Sequence, residues 1–251
     1  MIDNHVHVGW YTNGYHSPKE VWCAEKEAGV DDIAVSSTST CAELYKLVIQ
    51  EMKELKRLGS NHVHPILWVT PRMMRTYGIR KMLSSKVAWE GIKMHWEAHR
   101  EWYYNSWLVK KVLQIASERH LPILLHTGSF KECHASVFTE LCKDHPDITF
   151  VLAHGRPVGE TINVLCTASN TYVDTAFMPI EDLKRIVGAG FADRILFGTD
   201  APINTVYYNR ATSDYIADSL GQIRKTLGVI AFNKITSNSV YGIQYGKCSS
   251  T

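Results

Sequence analysis

The chain has 251 residues, 45% of them hydrophobic and 21% charged, with a formal net charge of +2. So small a charge argues against a basic nucleic-acid-binding surface or a patch for acidic membranes. No apolar run approaches the ~18 residues of a membrane span, and the composition suits a soluble globular chain with a sizeable core.

Cys23, Cys41, Cys133, Cys142, Cys166 and Cys248 form no C-x-x-C pair. A chain of this length needs no disulfides, so a reduced, cytoplasmic setting is expected. No signal peptide is visible ahead of the first strand, which begins at Met1.

Apolar β-type runs alternate with helical patterns from end to end. The first strand is read from Met1 to Val8. A capping box of Ser17 and Glu20, with Pro18 at the first helical position, opens a helix that stops near Ala28, before Gly29. Strand two is Asp32 to Ser36. A second capping box, Thr40 with Glu43, predicts a helix running to Leu58, closed by Gly59. Strand three is Val63 to Val69, followed by a short helix from Pro71 to Leu83. Strand four is Val87 to His95, and the helix after it runs from Tyr104 to Arg119.

Strand five is Pro122 to His126, with a helix from Ala135 to Asp144. Strand six is Ile148 to His154, and Pro157 suits the start of the next helix. Strand seven, Thr171 to Thr175, precedes a helix from Pro179 to Ala189. Strand eight is Arg194 to Asp200. Helices from Ser213 to Leu227 and from Ala231 to Val240 finish the chain.

Eight strands alternating with helices is the pattern of parallel βαβ units. At this length it predicts an α/β fold: a single-domain (β/α)8 TIM barrel over residues 1–251, slightly distorted, with an extra C-terminal helix. The rival, an open α/β sheet, should carry a glycine-rich phosphate loop after strand one. The segment Gly9-Trp10-Tyr11-Thr12-Asn13-Gly14 fits no such loop.

Barrel enzymes build their sites at the C-terminal ends of the strands. His5 and His7 stand two apart on strand one and so face the same way, with Asp3 one layer below. Two imidazoles converging from one face suit a transition metal such as Zn²⁺. Strand four ends in Lys93 and His95, strand five in His126, strand six in His154 and strand eight in Asp200. These residues ring one mouth.

The string Asn61-His62-Val63-His64 repeats His-Val-His but opens strand three, at the bottom face, where a structural role is expected. His16, His120, His134 and His145 fall in loops or at helix ends, where they read as solvated or capping. His99, in the loop after strand four, is a weaker candidate to line the pocket.

His-x-His on strand one, His126 in Leu-Leu-His-Thr-Gly, His154 in Leu-Ala-His-Gly and Asp200 in Phe-Gly-Thr-Asp-Ala-Pro resemble the amidohydrolase superfamily. The resemblance is nearest to its amidohydrolase-related (amidohydrolase 2) branch of metal-dependent hydrolases, which also contains decarboxylases. Gly91-Ile92-Lys93-Met94-His95 is similar to that branch's strand-four motif. Asn238 to Ile243 resembles its closing helix, though without the usual basic residue.

The resemblance implies that His5, His7, His126 and Asp200 hold one divalent metal, Zn²⁺ first and Mn²⁺ second. That set leaves one or two positions for water or substrate. It also implies that Asp200 takes the proton of a metal-activated water and that His154 is a base or an electrophile rather than a ligand. Lys93 either is carboxylated and bridges a second metal or stays a free amine that contacts the substrate; we favour the free amine and one metal. A buried cation paired to Asp200 or Glu90 is its structural alternative.

Arg156 is placed to grip a carboxylate or phosphate. Trp10, Tyr11, Trp96, Trp102 and Tyr103 are expected either to wall the mouth or to cover the barrel top or an oligomer contact. The expected partner is a small anionic or cyclic substrate, a lactone, amide or ester, with neither nucleic acid nor membrane and with a homo-oligomer open. A decarboxylase of an aromatic or unsaturated acid, using the same ligands, is the alternative. A non-catalytic binding barrel is the third reading.

Overall fold

Eight parallel strands follow one another around a closed ring, and each inter-strand connection carries helical segments on the outside. The computed structural model describes residues 1–104 and 106–242; Ile243 and Cys248 lie outside them. Strand β1 (Ile2–Tyr11) turns back through β2 (Gly14–His16) as an antiparallel hairpin. Six further strands then lie side by side in chain order: β3 (Asp32–Ser37), β4 (Val63–Val69), β5 (Gly91–Met94), β6 (Ile123–His126), β7 (Phe150–Ala153) and β8 (Thr171–Asp174). Strand β9 (Ile195–Leu196) completes the sheet next to β8.

The ring closes between β9 and β1. Asn4 N donates to Phe197 O at 2.8 Å, Asp200 N to His5 O at 2.7 Å and His7 N to Ala201 O at 2.7 Å, with a parallel bridge from Val6 to Ala201. An open sheet has no such seam.

Strand β9 is shorter than the expected Arg194 to Asp200 for a local reason. The N–H of Gly198 is taken by Thr175 Oγ1 and the N–H of Thr199 by Asp3 Oδ1. Side chains thus replace ladder bonds just before the site. Asp3 therefore belongs to the seam rather than to a layer below the histidines; its Oδ2 also accepts from Thr199 Oγ1 at 2.6 Å.

The helices follow the sequence with four corrections. Helix α1 (Pro18–Glu27) carries the Ser17/Glu20 capping box as read. Helix α2 (Tyr45–Gly59) starts later than Thr40, with Leu44 at its N-cap and no side-chain cap. Thr40 instead donates to Trp68 O, and Glu43 has a left-handed φ of 60° and pairs with Arg72. The expected helix from Pro71 to Leu83 is two, α3 (Pro71–Thr76) and α4 (Ile79–Leu83), parted at Gly78, whose φ of 88° no helix continues through.

Helices α5 (Ser106–Arg119), α6 (Thr139–Asp144), α7 (Val158–Thr167) and α8 (Ile180–Gly188) cover the following strands. After β9 come a short α9 (Asn204–Tyr208) and α10 (Thr212–Ser237), which is broken at Gly228 rather than split into two spaced helices. Asn238 to Gly242 is not helical. Asn238 accepts from Asn4 Nδ2 and donates to Ile195 O, and Tyr241 is buried against Ala34 and Ile66. These residues plug the end of the barrel away from the site.

The main core lies between strands and helices, with Ile33, Leu67, Ile92, Ile123, Phe150 and Ile195 fully buried. Among the described residues no helix is long and apolar enough to cross a membrane, and Cys23, Cys41, Cys133, Cys142 and Cys166 are free thiols.

Candidate metal centre and active site

His5 and His7 reach one point because β1 sends both to the barrel interior, where they are almost fully buried with ring centroids 5.1 Å apart. Asp200 and His154 arrive differently. His154 directly follows the end of β7 and Asp200 comes four residues after the end of β9, each with a left-handed φ, 69° for His154 and 61° for Asp200. A non-glycine residue held there costs about 1–3 kcal/mol, a strain typical of sites that must aim a side chain.

The geometry is tight. His7 Nε2 lies 2.8 Å and His5 Nε2 3.3 Å from Asp200 Oδ1. These three ligand atoms lie within 4.8 Å of one another. The Lys93 amine stands 2.7 Å from His5 Nε2 and 3.0 Å from His7 Nε2, with its charge 4.7 Å over the Trp68 ring.

The far nitrogens decide what the near ones can do. His5 Nδ1–H donates to Asp174 Oδ2 at 2.8 Å. His7 Nδ1 faces the Ser36 carbonyl at 3.3 Å and the Ser36 hydroxyl at 3.0 Å, and a carbonyl can only accept. Both Nε2 atoms therefore present lone pairs toward a carboxylate, an arrangement that repels unless a cation stands among them. In this structure the cation is the Lys93 ammonium. Two imidazole nitrogens and a carboxylate oxygen are also the donor set of a divalent metal, so the residues fit one.

Burial dominates the titration of these groups. It pushes His7 down to about 4 and His154 to about 3, so both are neutral. It lowers Lys93 to about 8. Burial alone would raise Asp200, but His5, His7 and Lys93 outweigh it and hold the carboxyl well below its usual range.

Asp174 is a site residue that the sequence reading missed. It is fully buried, accepts from His5 Nδ1 and accepts the backbone N–H of His154 on its other oxygen at 2.9 Å. The signal was present, because Asp174 ends a strand as Asp200 and His154 follow theirs. His154 in turn has Nδ1 on Ala176 O at 3.0 Å, which leaves Nε2 as an acceptor 3.9 Å from Asp200 Oδ2.

His126 is not drawn into the His5–His7–Asp200 group. Its Nε2 faces Glu97 Oε2 at 3.1 Å, its Nδ1 is buried without a partner, and its ring stacks on His95 at 3.6 Å. Glu97 is a second residue missed. It reaches His126 only because position 128 is glycine, since a Cβ there would collide with Glu97 Oε2. His95 is sandwiched between His126 and Trp68, at 7° to the indole. Its pKa is well below the usual value because of burial and then the neighbouring His126 and Lys93.

Lys93 does not pair with Glu90, which bonds His64 at 2.7 Å and Lys56 at 3.4 Å at the opposite end of the barrel. His62 pairs there with Asp32 at 3.0 Å. The second His-Val-His is thus structural. Arg156 lines the cavity and donates to Phe177 O at 2.9 Å. His99 lies 3.7 Å from Cys41 Sγ, beside Trp68.

The cavity has a volume of about 1090 Å³. Trp10 and Tyr11 wall it as expected. Trp96 and Trp102 do not: they stack on each other at 5.8 Å inside the core, 6% and 1% exposed. Tyr103 also packs against that core. The chain after Met94 turns Trp96 inward onto Phe138, which removes it from the mouth.

The sequence matches the family model described as amidohydrolase over residues 86–228, more than half of the chain. The chain belongs to the amidohydrolase family. No curated protein matches this amidohydrolase. Among solved structures, it is similar to an amidohydrolase from Burkholderia multivorans with bound zinc, at 12% identity, covering 94% of this chain and 95% of that one, with a TM-score of 0.64. It is also similar to 5-carboxyvanillate decarboxylase from Sphingomonas paucimobilis, at 10% identity, 94% and 96% coverage and a TM-score of 0.66. A third similar structure is a dihydroxybenzoic acid decarboxylase from Polaromonas with bound manganese and 2-nitroresorcinol, at 11% identity, 93% coverage of both chains and a TM-score of 0.57. At such identities the likeness speaks for the fold.

Proposed function

We propose that this amidohydrolase is a metal-dependent hydrolase of a small anionic or cyclic substrate, a lactone, amide or ester. The observation that carries the reading is the pair of Nε2 lone pairs on His5 and His7, both set by their far nitrogens and both aimed at the Asp200 carboxylate.

His5, His7 and Asp200 would hold the metal, with zinc first and manganese second, the ions named with two of the similar structures. His126 would join them only by leaving Glu97. When bound, a divalent ion supplies Lewis acidity, which lowers the pKa of a ligated water and polarises a substrate oxygen.

The chain's own groups do the rest. Asp200 Oδ2 points away from the ligand group toward His154 Nε2 at 3.9 Å. A water held between these two acceptors can donate one hydrogen to each, and Asp200 takes one of its protons, leaving a hydroxide to attack. Neutral His154 is an acceptor there, which favours its role as a base over that of an electrophile. Lys93, uncarboxylated and protonated, and Arg156 supply positive charge for an anionic substrate group. In this reading residues 1–251 act as one hydrolase domain in the cytoplasm, which the free thiols suit.

The test is metal analysis of protein purified without chelators, followed by assay of a lactone, amide and ester panel. One divalent ion per chain and turnover abolished by a chelator and restored by Zn²⁺ or Mn²⁺ are expected. Less than about half an ion per chain, with no gain on addition, would overturn the reading. Release of CO₂ from aromatic acids without any hydrolysis would turn it to decarboxylation.

A further inference from the structure

The polar floor of the cavity leaves its upper wall without a role. That wall is aromatic: Trp10 and Tyr11 come from β1, Phe177 follows β8, and Tyr207 and Tyr208 come from α9. Trp10, Tyr207 and Tyr208 are 50%, 64% and 52% exposed. Large apolar side chains held out around a cavity mouth mark a binding surface.

The structure spends several polar contacts on holding them. Trp10 N donates to Ser39 Oγ at 3.2 Å, and a Cβ at Gly9, where φ is +102°, would collide with that same hydroxyl. Ser37 and Ser39 donate in turn to the buried carboxylate of Glu51, at 2.5 and 2.8 Å. At the tip of the hairpin, Asn13 Nδ2 donates to Thr205 Oγ1 at 2.9 Å, which ties β1–β2 to α9. Across the mouth, the Phe177 ring lies 5.7 Å from Tyr207 and 5.9 Å from Tyr208. Two elements distant in sequence are thereby latched into one preorganised collar.

Size agrees with this. A cavity of about 1090 Å³ sits at or above the range of about 300–1,000 Å³ for small-molecule sites. An acid head on the floor fills only its lower part. We propose that the collar of Trp10, Tyr11, Tyr207 and Tyr208 is a specificity subsite for a flat apolar extension of the substrate, at least a second ring beyond the anionic head. This rests on the reading of the floor as the reaction site and extends it to the non-reacting end of the substrate.

The experiment is calorimetric titration of the zinc-loaded protein with two probes that share an ortho-hydroxy acid head, 2-hydroxybenzoate and 3-hydroxy-2-naphthoate. The naphthoate is expected to bind on the order of tenfold more tightly, the effect of one more stacked and buried ring. In the Trp10→Ala/Tyr207→Ala variant that ratio should fall to about twofold or less, with the benzoate affinity kept. Asn13→Ala, which spares every ring, should lower the ratio part of the way.

Equal affinities in the wild-type protein would overturn the collar and leave the floor standing. Binding of neither probe would overturn both. An unchanged ratio in the double variant, together with a change of oligomeric state in sedimentation, would make the collar a contact between copies and overturn the proposal.

Discussion

His5 Nδ1 and Asp174 Oδ2 lie 2.8 Å apart, both fully buried. The pair fixes which nitrogen of His5 carries the proton, and so which one faces Asp200. Burial alone would raise Asp174; His5 and the His154 backbone outweigh it and keep the carboxyl low. Asp174→Asn removes the charge and keeps the shape. Metal affinity should fall about 10–100-fold, the range for such supporting partners. Competition with a chelator measures it, and unchanged affinity would reduce Asp174 to a brace of the fold.

Lys93 supplies the cation that the His5–His7–Asp200 group needs when no metal is bound. Lys93→Met should therefore destabilise chelated protein more than zinc-loaded protein. The difference should be about 1–3 kcal/mol, or roughly 2–4 °C in melting temperature per kcal/mol at this chain length. Paired thermal melts, with chelator and with zinc, read it directly. Equal losses in the two states would deny the exchange of one cation for another.

Acid should destabilise the metal-free protein well above the carboxylate range. His7 at about 4 and His154 at about 3 are held below the unfolded value of 6.5 by burial, and His95 and His126 are lowered too. Below pH 6.5 the unfolded chain binds protons that the folded chain refuses, so stability falls as the pH drops toward 4. Asp3, raised to about 7 by burial, and Glu25, raised well above its usual value, act the other way: their contributions are full below the unfolded carboxylate values and are lost as pH rises. The four imidazoles outnumber these two carboxyls. The melting temperature of chelated protein should rise from pH 4 to 6.5; a fall over that window would contradict the buried neutral histidines.

Glu25 is buried in α1 with neither carboxylate oxygen hydrogen-bonded, and burial followed by Asp3 raises its pKa far above the usual value. The folded state keeps this proton, so the contribution of Glu25 is full below its unfolded pKa and declines as pH rises. Glu25→Gln should leave stability near pH 4 almost unchanged and raise it at pH 8, by more than about 1 kcal/mol. Denaturant melts at the two pH values decide the matter.

Gly128→Ala should act through Glu97. The new Cβ collides with the Glu97 carboxylate and drives it from His126. Gly128→Ala should lose at least as much activity as Glu97→Ala, since its Cβ also presses on Cys133 Sγ and His126 Nε2, and the double variant should be no worse than Gly128→Ala, in which the Glu97 contact is already broken. Additive losses would separate the two residues.

Much of this was legible in the chain itself. Period-2 and period-3.6 patterns placed all eight barrel strands, and the rule that sites crown strand C-termini picked His5, His7, His154 and Asp200. The same rule separated His5-Val6-His7 from its twin at His62 and His64, which opens a strand and pairs with Asp32 and Glu90. Asp174 also ends a strand, but that strand carries no histidine, and a lone aspartate at a strand end has no local pattern that sets it apart from a structural one.

By itself the sequence determined the order of elements, the capping of α1 and the set of polar groups that could meet at one mouth, because these depend on local periodicity and on strand polarity. Only the tertiary structure decided which of them meet and how. The hydrogen bond that His5 Nδ1–H donates to Asp174, the diversion of His126 to Glu97, the burial of Trp96 and Trp102, and the latch from Asn13 to Thr205 all join residues far apart in the chain. Such pairings are set by closure of the barrel, through the seam of β1 with β9, and no local pattern encodes them.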